Sequence, residues 1–232
     1  MTITLFELTG ADDRRFSPYC WRARMALAHK GLWRDCVTVP VGFTEKDKIS
    51  FSDQKLVPIL DNDGTIVTDS WAIACYLEDH FPDAPSQFGG IAGRGMAHLI
   101  AKWVETGVQP LLTPMIVADI WAHTRPEDRD YFRETREKRF GNALETVQSG
   151  REERLAGFQA SLEPARTVLR ERDFIGGDEA TFADYILFGI FQWARMTSRF
   201  ELLAADDPVH TWRERMLDLF DGLGRLAPVP SK

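Results

Sequence analysis

The 232-residue chain reads as an α/β domain followed by an all-α domain, and three observations carry that expectation. Short β-branched and apolar runs alternate with helix-spaced apolar stripes over the first third of the chain, the pattern of a mixed four-stranded sheet with helices packed on it. From Pro82 to Gly95 the composition turns to Pro, Ser and Gly, which marks a linker. Beyond it every periodic segment has the spacing of a helix. The expected division is an α/β domain over 1–82, a linker over 83–95 and a helical bundle over 96–232.

Ile3 to Leu8 is the first expected strand, and the polar loop Thr9 to Phe16 hands over to a helix at Pro18, with Ser17 in the capping position and proline at the first helical one. Trp21, Met25, Ala28 and Leu32 form its inner stripe, and Gly31 supplies a stop. Cys36 to Val39 reads as a second strand, followed by a polar segment from Thr44 to Lys55. Leu56-Val57-Pro58-Ile59-Leu60, the turn Asp61-Asn62-Asp63-Gly64 and Thr65-Ile66-Val67-Thr68 compose a hairpin, in which Pro58 requires an edge or an irregularity. Asp69-Ser70 opens another helix with Ile73, Ala74, Leu77 and Phe81 inward.

Past the linker, helices are expected from Met96 to about Trp121 with kinks at Pro110 and Pro114, around Arg133, around Leu162, from Phe182 to Arg195 and from Val209 to Phe220. Thr181-Phe182-Ala183-Asp184 has the form of a capping box, and the apolar run Tyr185 to Phe191 places its helix at the buried centre of the bundle. The run Gly89 to Gly95 neither follows a strand nor has the spacing of a phosphate-binding loop.

Composition narrows the function. The formal net charge is −7, with both signs interspersed, whereas a nucleic-acid surface needs a basic stripe. Met1-Thr2-Ile3-Thr4-Leu5-Phe6 carries no basic stretch and no long apolar run, so we expect neither a signal peptide nor a membrane span, and a cytoplasmic location. Cys20, Cys36 and Cys75 are odd in number and widely spaced, which suits reduced thiols. The 5 histidines form no ligand-spaced pair, so no metal is expected.

The chemistry concentrates in Ser17-Pro18-Tyr19-Cys20, at the start of the first helix. The tetrapeptide has the form of a C-x-x-C dithiol motif whose first sulfur is replaced by a hydroxyl. The first position of such a motif sits at a helix N-terminus, where the helix dipole and free N–H groups favour a thiolate. A serine there is no redox nucleophile, but it can donate a hydrogen bond to a thiolate brought by another molecule. The same residues also make an ordinary helix start.

Taken together, Ser17-Pro18-Tyr19-Cys20-Trp21-Arg22, Val57-Pro58, Asp69-Ser70 and Thr181 to Asp184 resemble, in order, the motifs of the cytosolic glutathione transferases of the serine type. Phe182-Ala183-Asp184-Tyr185 through Arg195 and Asp218 to Gly224 look most like the β-etherase-type and fungal ether-class members. The run Trp21 to Ala28 also resembles the zeta class, from whose Ser-Ser-Cys loop Pro18-Tyr19 departs. The resemblance implies a thioredoxin-like first domain, glutathione as co-substrate, a small hydrophobic electrophile as second substrate, and a homodimer.

It also implies roles. Ser17 would donate to the glutathione sulfur, Val57 before a cis Pro58 would pair with the cysteinyl unit, and Asp69 and Ser70 would hold the γ-glutamyl group. Lys46 or Lys55 would meet the glycyl carboxylate, although many relatives carry that lysine where this chain has Leu56. Tyr19, Trp103, Met115 and Trp121 would line the electrophile pocket, and Cys20 reads as a buried structural thiol, with a mixed disulfide to glutathione as the minor alternative. In an etherase, glutathione thiolate would attack the carbon α to an aryl ketone and expel a phenolate. A zeta-type isomerase that returns glutathione unchanged, and a noncatalytic carrier of glutathione or hydrophobic ligands, are the alternatives.

Overall fold

The computed structural model describes residues 2–230; Met1, Ser231 and Lys232, at the outer ends of the expected domain ranges, lie outside the described residues. Four strands, β1 (Ile3–Leu8), β2 (Cys36–Val41), β3 (Ile59–Asn62) and β4 (Thr65–Thr68), form one mixed sheet in the order β2-β1-β3-β4. β1 and β2 run parallel with Ile3 opposite Cys36, and the crossover that a parallel pair requires is helix α1 (Pro18–His29). β1 and β3 are antiparallel with Leu5 opposite Leu60, and β3 and β4 close the hairpin with Ile59 opposite Thr68. Helix α2 (Ser70–His80) follows. This is the thioredoxin-like arrangement that the motifs imply.

Strand β1 alternates as a half-covered strand should, with Ile3, Leu5 and Glu7 on its buried face. Glu7 is fully buried, and the charge is answered on both sides: Arg15 donates to it at 2.8 Å and the Arg24 Nε at 2.6 Å. A buried carboxylate is tolerable only in such company.

The second domain comprises α3 (Ile91–Trp103), α4 (Gln109–Ala122), α5 (Arg129–Phe140), α6 (Leu144–Gln148), α7 (Arg151–Ser161), α8 (Glu163–Leu169), α9 (Phe182–Thr197) and α10 (Pro208–Gly222), the last leaving helical geometry at Leu219–Asp221. α3 begins at Ile91, so part of the expected linker is helix. Gly93 serves close approach there, since a Cβ would run into the Phe88 carbonyl. Between α3 and α4 the chain makes a π turn at Val104–Val108. Pro110 has no N–H to return to the Thr106 carbonyl, and the helical ladder shifts register just before it. The expected helix around Leu162 resolves into α7 and α8, which flank that residue.

Helix α9 is buried from Phe182 through Ala194 and forms the centre of the molecule. It packs directly on α1, and Gly189 makes that approach possible: a Cβ there would strike the Pro18 carbonyl. Asp184, also fully buried, accepts hydrogen bonds from Thr181 N (2.9 Å), Ile175 N (2.7 Å), Gly176 N (3.1 Å) and Trp212 Nε1 (2.9 Å). One carboxylate thus caps α9, fastens the preceding loop and anchors α10.

Two substitutions separate these classes of charge. Asp184→Ala leaves these four N–H donors, and the Thr181 hydroxyl that also donates to it at 3.2 Å, without an acceptor and should cost about 3 kcal/mol or more of stability, read as a lower denaturation midpoint. Arg34→Ala breaks a pair with Asp221 whose side chains are 84% and 82% exposed, and should change stability by no more than about 0.5 kcal/mol.

Candidate functional site

Ser17 sits at the N-cap of α1 with Pro18 in the first turn. Its Oγ accepts from the Cys20 N–H at 3.3 Å, and the Cys20 thiol stands within reach of its O–H. The loop before it is held from several sides. Trp21 Nε1 donates to the Arg15 carbonyl (2.7 Å), and the Arg14 guanidinium donates to the carbonyls of Met196 (2.7 Å) and Pro228 (3.0 Å). A hydroxyl at a helix N-terminus is a ready donor to an anion, a stronger acceptor than a neutral thiol. Cys20 is the opposite case: burial, aided by the Glu7 charge, pushes its thiol up to about 12. It stays protonated, as a structural thiol should.

Ser17 opens onto a cavity of about 370 Å³ between the two domains. The floor on the sheet side includes Phe43, Lys46, Lys55 and Val57. Lys46 is half-buried and donates to the Lys55 carbonyl at 2.7 Å; burial pulls its pKa down. Its loop is tied to the helical domain: Thr44 donates through N–H (2.9 Å) and hydroxyl (2.6 Å) to Asp128, which pairs with Arg125 (2.7 Å), and Arg125 reaches Glu45 (3.1 Å). Val57 precedes Pro58 across a cis peptide bond, and among the described residues neither its N–H nor its C=O is hydrogen-bonded. Unsatisfied backbone groups on a cavity wall are suited to a peptide ligand.

The opposite wall comes from α4 and α5. Gln109, Thr113, Val117 and Ile120 present one stripe of α4, and Tyr19 bridges the domains by donating to Gln109 Oε1 at 2.9 Å. Helix α5 contributes Phe132, Arg136, Arg139 and Phe140.

Of the residues expected at the site, Ser17, Val57, Lys46, Lys55 and Tyr19 meet at this cavity, while Pro58, Asp69 and Ser70 stand off its walls. Asp69 caps α2, its Oδ1 accepting from Trp71 N (2.8 Å) and Ala72 N (3.3 Å), with Oδ2 unpaired among the described residues. Ser70 begins the same helix, its side chain making no hydrogen bond among the described residues. Three of the four residues expected in the electrophile pocket lie elsewhere. Trp103 ends α3, Met115 is packed into the core on the other face of α4, and Trp121 lies under the guanidinium of Arg133 at 4.3 Å. Sequence reasoning missed Gln109, Phe43 and the α5 stripe. The signal available for α5 is the spacing of Phe132, Arg136, Arg139 and Phe140, which aligns aromatic rings and arginines on one face.

Among the described residues there is no cluster of three potential metal ligands, and no helix is long and apolar enough to cross a membrane.

Known proteins match both halves of this arrangement. Residues 16–80 match the family described as "Glutathione S-transferase, N-terminal domain", and residues 95–217 match "Glutathione S-transferase, C-terminal domain". A probable maleylacetoacetate isomerase of Caenorhabditis elegans is 37% identical over 93 residues, covering 39% of this chain and 44% of that protein. The chain thus spans less than half the length of that relative, whereas a glutathione S-transferase omega-1 of Mus musculus aligns at 25% identity over 87% of this chain and 73% of its own. Among solved structures, a glutathione transferase of Phanerochaete chrysosporium superposes with a TM-score of 0.77 at 25% identity, covering 96% of this chain and 92% of its own. A glutathione S-transferase of Ceriporiopsis subvermispora, solved with glutathione, reaches 0.84 at 21% identity with full coverage of both chains, a likeness of fold. With a thioredoxin-like domain carrying a helix-capping serine and a helical domain closing the cavity above it, the chain belongs to the glutathione S-transferase family.

Proposed function

We propose that this protein is a serine-type glutathione transferase that activates the thiol of glutathione for attack on a hydrophobic electrophile, with cleavage of aryl ethers as its preferred reaction class. One observation carries the reading: the Ser17 hydroxyl stands at the N-terminus of α1 and opens on the interdomain cavity. A free thiol has a pKa of about 8.5, and lowering it by about two units requires about 2.7 kcal/mol, within reach of an oriented hydroxyl and a helix terminus in a confined site.

The remaining chain supplies the grip. The free N–H and C=O of Val57 pair with the cysteinyl unit, Asp69 Oδ2 and the Ser70 hydroxyl take the γ-glutamyl ammonium and carboxylate, and Lys46 takes the glycyl carboxylate, with Lys55 at the rim. In the ether reaction the thiolate forms a C–S bond at the carbon α to an aryl ketone, and the phenolate leaves with the bonding electrons and with inversion. The glutathione-bound neighbour supports glutathione as the co-substrate. We place the protein in the cytoplasm as a homodimer; Ile91, Met96 and Leu99, exposed by 92%, 58% and 60% on one flank of α3, supply an apolar surface for a second copy.

A second reading, a zeta-type isomerase that returns glutathione unchanged, is favoured by the isomerase relatives and by the Trp21 to Ala28 run. Glutathione consumed per product formed separates the two.

Calorimetry with reduced glutathione, beside turnover of a fluorogenic β-aryl ether and a chloronitroaromatic, tests the proposal. Ser17→Ala should lower kcat/KM about 10²–10³-fold, leave glutathione affinity largely intact and move the acid limb of the rate profile upward by as much as two units. Retained turnover would remove Ser17 from the reaction. Lys46→Met should weaken glutathione binding about tenfold, yet leave γ-glutamylcysteine, which lacks the glycyl carboxylate, unaffected.

A further inference from the structure

The cavity has a charge character that conjugation of a neutral hydrophobic molecule does not call for. In a chain of net charge −7, four cations line it, Lys46, Lys55, Arg136 and Arg139, and among the described residues no Asp or Glu does. Asp128 lies near Lys46, but its oxygens are engaged by Thr44 and Arg125. One lysine suffices for the glycyl carboxylate of glutathione, which leaves the α5 arginines unassigned.

Arg136 is the distinctive one. It is half-buried and has no carboxylate partner among the described residues. Its guanidinium lies 4.6 Å from the Phe132 ring centre and 5.3 Å from that of Phe43, both rings being cavity walls. A single bond, from Nη1 to the Thr135 hydroxyl (2.8 Å), uses one of its donors. Burial lowers its pKa, and Arg139 pushes the same way; Arg136 in turn weighs on Lys46. Stacking on aromatic rings fixes the plane of a guanidinium while leaving its edge free, the geometry that receives a carboxylate. Like charges gathered on one wall, without an anion of the protein between them, are suited to an anion that arrives with the ligand.

We propose that the second substrate is an acidic aromatic electrophile, an arylcarboxylate whose ring lies against Phe43 and Phe132 and whose carboxylate is held by Arg136, with Arg139 at the rim. This rests on the transferase reading and names the substrate class of the same site. Its probe reaction is balanced within the two substrates: the glutathione sulfur, its proton released to solvent, forms a C–S bond at the ring carbon, and chloride leaves with its bonding electrons.

The test compares 4-chloro-3-nitrobenzoate with 4-chloro-3-nitrobenzamide, each rate divided by its uncatalysed reaction with glutathione. In parallel, unreactive 3-nitrobenzoate is titrated by calorimetry into protein saturated with glutathione. The acid should be turned over with kcat/KM at least tenfold above the amide. Arg136→Met, which keeps an apolar stem beside the rings, should lower that ratio at least fivefold; Arg139→Met, at an exposed position, should lower it less. Equal handling of acid and amide, or a preference that survives Arg136→Met, overturns the inference while the transferase reading stands. Competition between 3-nitrobenzoate and glutathione also overturns it, by assigning all the cations to glutathione. Binding of 3-nitrobenzoate through Arg136 with no turnover of either chloroarene overturns the inference as a statement about the substrate, while absence of glutathione binding and of ether turnover would defeat the transferase reading instead.

Discussion

The close approach of α9 to the first turn of α1 governs the rest. The Pro18 carbonyl lies against the backbone of Gly189, with no room for even a methyl group. Because Ser17 immediately precedes that turn, the central helix of the second domain sets the position of the hydroxyl in the first. Asp184, one turn below on the same helix, fastens α9 to the preceding loop and to Trp212 of α10. The reactive end of α1 is therefore a property of the whole core, as expected where packed interiors transmit small displacements with little loss.

The site divides its electrostatics between its two ends. Near the sheet, Cys20 and Glu7 are sealed away, the thiol kept protonated and the carboxylate enclosed by Arg15 and Arg24. Toward the helical domain the walls are aromatic and cationic. A thiolate held at Ser17 would thus meet positive potential from the α1 terminus and from the α5 arginines, and no protein anion on the cavity wall among the described residues.

Local signals were readable where one residue type can do the job. Ser17-Pro18 at a helix start, the Asp61 to Gly64 turn and the Thr181 to Asp184 box all appear where the sequence places them. The boundary at Ile91 was not readable, because Gly93 and Gly95 look like linker residues until the Phe88 carbonyl beside Gly93 is known. The pocket walls were hidden for a related reason. Trp103, Met115 and Trp121 are the conspicuous large side chains of the first long helical stretch, yet which face meets the cavity depends on the register shift at Val104–Val108. Helix α5, dense in charge, reads as a solvated helix, and only packing against Phe43 turns Arg136 inward.

The lock between Thr44 and Asp128 has a consequence for how the protein comes apart. The segment carrying Lys46 belongs by sequence to the first domain, but its main chain is anchored to a fully buried carboxylate of the second. With Arg14 reaching across to Met196 and Pro228 as well, neither half has a complete set of partners without the other. The two domains are then one cooperative unit rather than two beads on a string. A fragment cut at residue 82 would lose the seat of its own ligand-facing loop, so the modularity visible in the sequence is not a modularity of folding.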